Sequence, residues 1–189
     1  MKIFLWLIIS SVIILFGCQS LEDTEVISQK ELIKKGEYLV TISGCNDCHT
    51  PKKMTPQGPV PDKTYLLSGH PQNSKLADFD TSLIGPGKWV LMNENLSAFI
   101  GTWGISFAAN LTPDDQTGIG LWQEENFINA MHTGKHMGIG RPILPPMPWF
   151  NLINANEGDL KAIFAYLKSI NPIKNLVPGA VSFEQLGKK

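Results

Sequence analysis

Gly44-Cys45-Asn46-Asp47-Cys48-His49-Thr50-Pro51 is the stretch on which the reading of this chain turns. Cys45, Cys48 and His49 stand at i, i+3 and i+4, and on a short helical turn those positions share one face. Two thiols and an imidazole on one face suit a planar group held through two thioethers, with the His49 imidazole reaching its central metal. Cys-x-x-Cys-His is the attachment sequence of a c-type haem. Three duller uses compete. A Cys45–Cys48 disulfide would close a loop too small to stabilise much. A thioredoxin-like redox pair expects a βαβ pattern around it, and none is visible. A zinc site could recruit His132 and His136, but the gap from Cys48 far exceeds the roughly 12–15 residues of a finger-type site. Gly134 also ends the helix between those two histidines.

The remaining cysteine, Cys18, closes the N-terminal segment. Met1 and Lys2 are followed by a mostly apolar run to Phe16. That run is shorter than the roughly 20 residues a bilayer core requires, and a basic start with a short apolar stretch describes a secretory signal peptide over residues 1–17. Leu15-Phe16-Gly17-Cys18 resembles a bacterial lipoprotein processing site, which implies that Cys18 becomes the acylated first residue and anchors the chain without a spanning helix. The alternative is an uncleaved anchor helix. Both put the folded part outside the cytoplasm, where bacteria attach c-type haem. Residues 18–27, with Glu22, Asp23 and Glu25 and little to bury, read as a solvated tether.

The 189 residues fit one domain. Sixteen basic and seventeen acidic side chains leave a net charge of −1, so there is no basic surface for nucleic acid. Ser28-Gln29-Lys30-Glu31 is a capping box, after which Leu32, Ile33, Gly36, Leu39 and Val40 recur at helical spacing and lead into the cysteine turn. A middle helix is predicted from about Glu124 to Thr133, with Phe127, Ile128 and Met131 on its apolar face and Gly134 as its cap. Leu160, Ile163, Phe164 and Leu167 mark a last helix that opens on Glu157 and Asp159, carries Lys168 in its last turn and stops before Pro172. No run of alternating strand residues stands out, so the predicted fold class is all-α. Residues 51–71 are too rich in Pro and Gly for regular structure, and residues 78–110, with Trp89, Phe99, Trp103 and Phe107, are expected to form short helices or turns around the haem.

A sixth ligand to the iron is sought among Met54, Met92, Met131, Met137 and Met147. Met147 lies in Pro145-Pro146-Met147-Pro148-Trp149, a stiff, extended segment because proline fixes φ and donates no N–H. Met131 belongs to the apolar stripe of its helix, and Met54 follows His49 too closely to cross to the opposite haem face. Met137 is the rival, and a histidine or an open site is the remaining option. His70, His132 and His136 read as surface or loop residues, and Lys52 and Lys53 as a solvated face or a docking aid. Pro113-Asp114 reads as a turn rather than part of a calcium site.

In that order, a capped helix, Cys45-x-x-Cys48-His49, a Pro-flanked Met147 and a C-terminal amphipathic helix resemble class I cytochrome c. Asn110-Leu111-Thr112-Pro113-Asp114-Asp115-Gln116-Thr117-Gly118-Ile119-Gly120, then Trp122, then Leu144-Pro145-Pro146-Met147-Pro148-Trp149, look closer still to the cytochrome c domains that accompany bacterial membrane dehydrogenases. The resemblance covers residues 28–178, leaving 179–189 as a tail. It departs from many relatives in having one haem motif and a long 51–110 region.

The resemblance implies a class I cytochrome c fold and one covalently bound haem c with His49 and Met147 as axial ligands. It also points to redox partners at a membrane: a dehydrogenase, an oxidase or another cytochrome. Arg141, the only arginine, is a candidate for a haem propionate, since a planar, always charged guanidinium suits a carboxylate. Trp103 and Asn110 are candidates to line or hydrogen-bond the haem. The expected role is an electron carrier rather than an enzyme, since two axial ligands leave no place for substrate and a thioether raises the potential. Two alternatives stand beside it: a haem enzyme or gas sensor with an open sixth site, and a fixed electron-transfer subunit of a dehydrogenase whose 51–110 region is interface.

Overall fold

The computed structural model describes residues 28–186. The expected signal peptide, the acylation site Cys18, the 18–27 tether and residues 187–189 lie outside the described residues. Helix α1 (Gln29–Ile42) starts at the capping box: the Ser28 hydroxyl accepts the Glu31 N–H, and the Glu31 carboxylate accepts the Ser28 N–H at 3.1 Å. Gly44 (φ +70) turns the chain directly from α1 into the short helix α2 (Cys45–His49). Helix α3 (Glu124–Thr133) is closed by left-handed Gly134, and helix α4 (Glu157–Ser169) opens on Asn156, whose side chain accepts the Asp159 N–H at 2.8 Å. These three longer helices lie where the caps and apolar spacings put them. Their apolar faces meet in one core: Val40 from α1, Phe127, Ile128 and Met131 from α3, and Leu160, Ile163, Phe164 and Leu167 from α4, joined by Leu67 and Ile119 from loops.

The contact of α1 with α4 is set by Gly36. A Cβ at this position would run into the Ala162 carbonyl and lie 2.7 Å from the Tyr166 Cβ. A hydrogen here lets the two backbones approach closely, and Lys35 pairs with Asp159 at 2.6 Å on the solvent side of the contact.

The expectation of a fold without strands is corrected in two places. Strands β1 (Lys52–Thr55) and β2 (Gly58–Pro61) form an antiparallel hairpin within the segment whose proline content argued against regular structure. The register explains how it tolerates proline. Asp62 N–H donates to Pro51 C=O at 2.7 Å. Hydrogen-bonded and non-bonded pairs alternate along an antiparallel ladder. Pro59 and Pro61, opposite Met54 and Lys52, therefore fall where no N–H is called for.

The second correction is a three-stranded antiparallel sheet of β3 (Leu91–Met92), β4 (Ala98–Gly101) and β5 (Gly104–Phe107), in that order. All of β4 and three residues of β5 are buried, so polar and apolar residues do not alternate and the period-2 signal is missing. Ile84, Ile100 and Ile105 form a second, smaller core, packed by Leu76, Phe79, Phe107, Val181 and Leu186. The chain beyond Pro178 is not a loose tail in its described part: Ile105 and Val181 exchange backbone hydrogen bonds of 2.8 and 3.0 Å, and the short helix α5 (Phe183–Leu186) lies against β5.

Substituting Gly36→Val puts methyl groups where α4 backbone already lies. Denaturant unfolding is expected to show a loss of about 3 kcal/mol, whereas Lys35→Ala, which removes a half-exposed ion pair, should cost less than about 1 kcal/mol.

Candidate functional site

Cys45, Cys48 and His49 sit on one helical turn, and both thiols are free and partly buried. Burial pushes the Cys45 thiol up to about 11 and raises Cys48 as well. A reactive redox pair needs the opposite shift, toward thiolate, so the thioredoxin-like use finds no support in this environment. Among the described residues no three His, Cys, Asp or Glu side chains converge to hold a metal ion, and His132 and His136 do not complete a zinc site with the cysteines.

His49 is oriented from far along the chain. Its Nδ1 lies 2.7 Å from the Ala109 carbonyl oxygen. A carbonyl can only accept, so Nδ1 carries the proton and the neutral ring presents a bare Nε2 lone pair. Burial, opposed by the bond to Ala109, lowers the His49 pKa and favours that neutral form. The Ala109 carbonyl is in turn placed by the segment Leu67–His70, which threads between it and the cysteine turn. Gly69 N–H donates to His49 C=O at 2.7 Å, His70 N–H to Ala108 C=O at 2.9 Å, and Leu111 N–H to Leu67 C=O at 2.9 Å. Gly69 has φ +81, and a Cβ there would lie 2.6 Å from the Ala109 carbonyl oxygen. Only glycine lets the two strands of chain come this close.

Thr50, fully buried at the end of α2, holds the other side of that segment. Its Oγ1 donates to Asn46 Oδ1 at 2.9 Å and accepts the Leu67 N–H at 2.9 Å. Leu67 itself is completely buried in the left-handed region (φ +57), a conformation that costs a branched residue about 1–3 kcal/mol and persists where surroundings over-determine it.

Lys52 is neither a solvated residue nor a free docking group. Its ammonium donates to the carbonyls of Asp47 at 2.6 Å, Thr50 at 2.7 Å and Asn46 at 3.3 Å, so a cation caps the carbonyl end of the cysteine turn. Lys53 pairs with Asp62 at 3.0 Å across the β1–β2 hairpin. A lysine just past a short helix is the sequence signal for the first of these roles.

Met147 is half-buried and packs on the same core cluster as Cys45, together with Ile143 and Leu152. Met54 and Met92 are exposed and Met131 is in the core. Met137, held at φ +54 between His136 and Gly138, is half-buried outside that cluster. Met131 and Met147 both share that core with Cys45, and of the two Met147 is the one that lies on a loop and is only half-buried.

Asn110 does other work than facing a bound group. Its Nδ2 donates to Ile173 C=O at 2.8 Å and Thr117 Oγ1 at 3.1 Å, and its Oδ1 accepts from the N–H and hydroxyl of Thr112 at 3.0 and 2.8 Å. With its amide satisfied inside the protein, Asn110 fastens the 173–175 segment to the 110–117 loop. That loop is closed by Asp114 Oδ1, which accepts from Gln116 N–H, Thr117 N–H and the Thr117 hydroxyl, the bonding of a turn. Trp103 is half-buried and donates through Nε1 to Ser106 Oγ at 3.1 Å. Arg141 is exposed and has no carboxylate partner among the described residues; it donates to Pro142 C=O at 3.2 Å.

His70, expected as a surface or loop residue, is fully buried: Nδ1 lies 2.9 Å from Ser97 Oγ, Nε2 has no hydrogen-bond partner among the described residues, and the ring packs 4.8 Å from Phe107. Flanking Gly69 and Pro71 suggest a loop, and a loop it is, but one roofed by the sheet. Burial lowers the His70 pKa below its ordinary 6.5. The unfolded chain therefore takes up a proton that the folded one resists, so the contribution of this residue is present above pH 6.5 and declines as pH falls toward the folded value. Unfolding midpoints compared at pH 7.5 and 5 should show a larger acid loss for the native sequence than for His70→Gln; equal losses would place the acid sensitivity elsewhere.

No protein-family model matches the chain. It is 25% identical over 159 residues, 84% of its length, to the cytochrome c subunit of a quinone alcohol dehydrogenase from Gluconobacter oxydans. It is also 25% identical over 135 residues, 71% of its length, to the gluconate 2-dehydrogenase cytochrome c subunit of Pantoea cypripedii. A shorter stretch of 76 residues, 40% of the chain, is 37% identical to a nicotinate dehydrogenase subunit from Pseudomonas putida. The chain spans 25%, 22% and 6% of the lengths of these three relatives, in the order given. It is thus similar to cytochrome c subunits of bacterial dehydrogenases.

Proposed function

We propose that this chain is an electron-transfer protein of class I cytochrome c architecture, carrying one haem c on Cys45 and Cys48. The observation that carries this reading is the cysteine turn itself: two free thiols at i and i+3, followed by a histidine whose Nδ1 proton is committed to Ala109, leaving Nε2 as a metal ligand. These residues fit the group. A haem bound there would supply one-electron redox chemistry. The chain's own part is to hold His49 neutral and fixed, to offer the Met147 thioether as a second ligand, and to surround the site with the apolar core against which Cys45 and Met147 both pack. An apolar surround and a thioether ligand both favour the reduced, less charged state. The Arg141 guanidinium, without a carboxylate partner among the described residues, is left for a propionate.

The sequence before residue 28 supports export, and lipid on Cys18 would hold the carrier at a membrane facing the periplasm or cell exterior. Its partners on this reading are membrane redox proteins: a dehydrogenase, an oxidase or another cytochrome. The likeness to dehydrogenase cytochrome subunits favours a dehydrogenase as the donor, with this chain as its non-catalytic electron acceptor, either docking transiently or fixed as a subunit.

Expression alongside haem-attachment machinery tests the proposal. The expected product is red, keeps its colour through denaturing electrophoresis, and loses covalent attachment when Cys45 and Cys48 are both replaced by Ser. The ferrous spectrum should not change when carbon monoxide is added to the native sequence, and should change rapidly for Met147→Ala. A colourless product defeats the haem assignment; fast carbon monoxide binding by the native sequence defeats Met147 ligation and moves the reading to a sensor or enzyme.

A further inference from the structure

The segment that carries Met147 is poor in hydrogen bonds. Pro142, Pro145, Pro146 and Pro148 have no N–H to give. Ile143 N–H is tied to Gly134 C=O at 2.7 Å, and Asn151 N–H bonds locally to Pro148 C=O at 2.9 Å. Between them, among the described residues, a single hydrogen bond reaches the 144–150 loop from elsewhere in the protein: the Ser106 hydroxyl to Pro145 C=O, at 2.5 Å.

Its direction is fixed by chemistry. Pro145 C=O can only accept and the Trp103 indole N–H can only donate, so the Ser106 hydroxyl accepts from Trp103 at 3.1 Å and must point its proton at Pro145. Ser106 is itself 7% exposed on β5, a strand whose neighbours are β4 and Val181. A bond between a rigid sheet and a carbonyl two residues before Met147 controls where the thioether sits, while the half-buried Met147 side chain supplies only apolar packing. We propose that Ser106, oriented by Trp103, is the positioning residue for Met147, and that through it the three-stranded sheet anchors the Met147 loop. This rests on the reading of Met147 as a ligand.

The experiment uses the haem-loaded full chain in four forms: native, Met147→Ala, Ser106→Ala and Ser106→Thr. Three readouts are taken: the long-wavelength sulfur-to-ferric-iron absorption band, the midpoint potential, and the rate of carbon monoxide binding to the ferrous protein. Met147→Ala calibrates the assay; if it matches the native protein, the ligand reading has failed and not the positioning one. With Met147 ligation intact, Ser106→Ala is expected to weaken the band, lower the potential, and speed carbon monoxide binding about tenfold. Ser106→Thr, which keeps the hydroxyl, should restore native behaviour.

Trp103→Phe gives a second route should Ser106→Ala fold poorly. It frees the hydroxyl to rotate away from Pro145 and should move all three readouts in the same direction by a smaller amount. A Ser106→Ala protein with the native band, potential and carbon monoxide rate overturns the proposal, as does a Trp103→Phe protein that is native in all three.

Discussion

The hydrogen bond from His49 Nδ1 to the Ala109 carbonyl ties together parts of the chain sixty residues apart. Much else in the structure can be understood as what this bond requires. The carbonyl must point at the cysteine turn, so residues 108–111 are held by the Leu67–His70 segment through alternating backbone hydrogen bonds. That segment must pass close to Ala109, so residue 69 is glycine. Thr50 fixes its start, and the left-handed turn at Leu67 is tolerated because Thr50 and Leu111 claim both of its backbone groups. The imidazole is thereby oriented before anything binds to it, and preorganisation of this kind spares a bound metal the cost of aligning its ligand.

The helical part of this arrangement is legible in the sequence because helices announce their ends. Ser28 with Glu31, Gly134, and Asn156 before Glu157 are local signals, and each acts on residues within one turn of itself. The strands are not legible, for reasons equally physical. β4 and β5 are covered on both faces, which removes alternation, and the β1–β2 hairpin places its prolines at ladder positions that need no donor, which no composition rule detects. Burial of His70 depends on that same sheet, which leaves no period-2 trace. Asn110 is a candidate to line or hydrogen-bond the haem only through the family resemblance, and its partners, Thr112, Thr117 and Ile173, include one that only tertiary structure brings near.

The candidate site divides along the same line. Cys45, Cys48 and His49 are a local constellation, readable from spacing alone. Lys52 capping the turn is nearly local and within reach of the sequence. The Ala109 carbonyl is a backbone atom, so no residue type could reveal it, and Ser106 is one serine among many until β5 sets it under the Met147 loop.

Asn175 has a consequence for how the molecule is made. Its side chain donates to Ser68 C=O at 2.7 Å and His70 C=O at 2.9 Å and accepts from Gln72 N–H at 2.9 Å, closing loops of 103 to 107 residues. A chain that emerges from a pore with its amino end leading can form α1 and the cysteine turn early, since both need only neighbours. The Leu67–His70 strap can bond early to His49, Thr50 and residues 108–111, but its ties to Asn175 wait until the last tenth of the polypeptide has arrived, and contacts of such long range are slow to form. For that interval Cys45, Cys48 and His49 stand on a formed turn beneath a cover whose last fastening is still to come, and on the function proposed above that leaves the two thiols within reach of whatever attaches the ring.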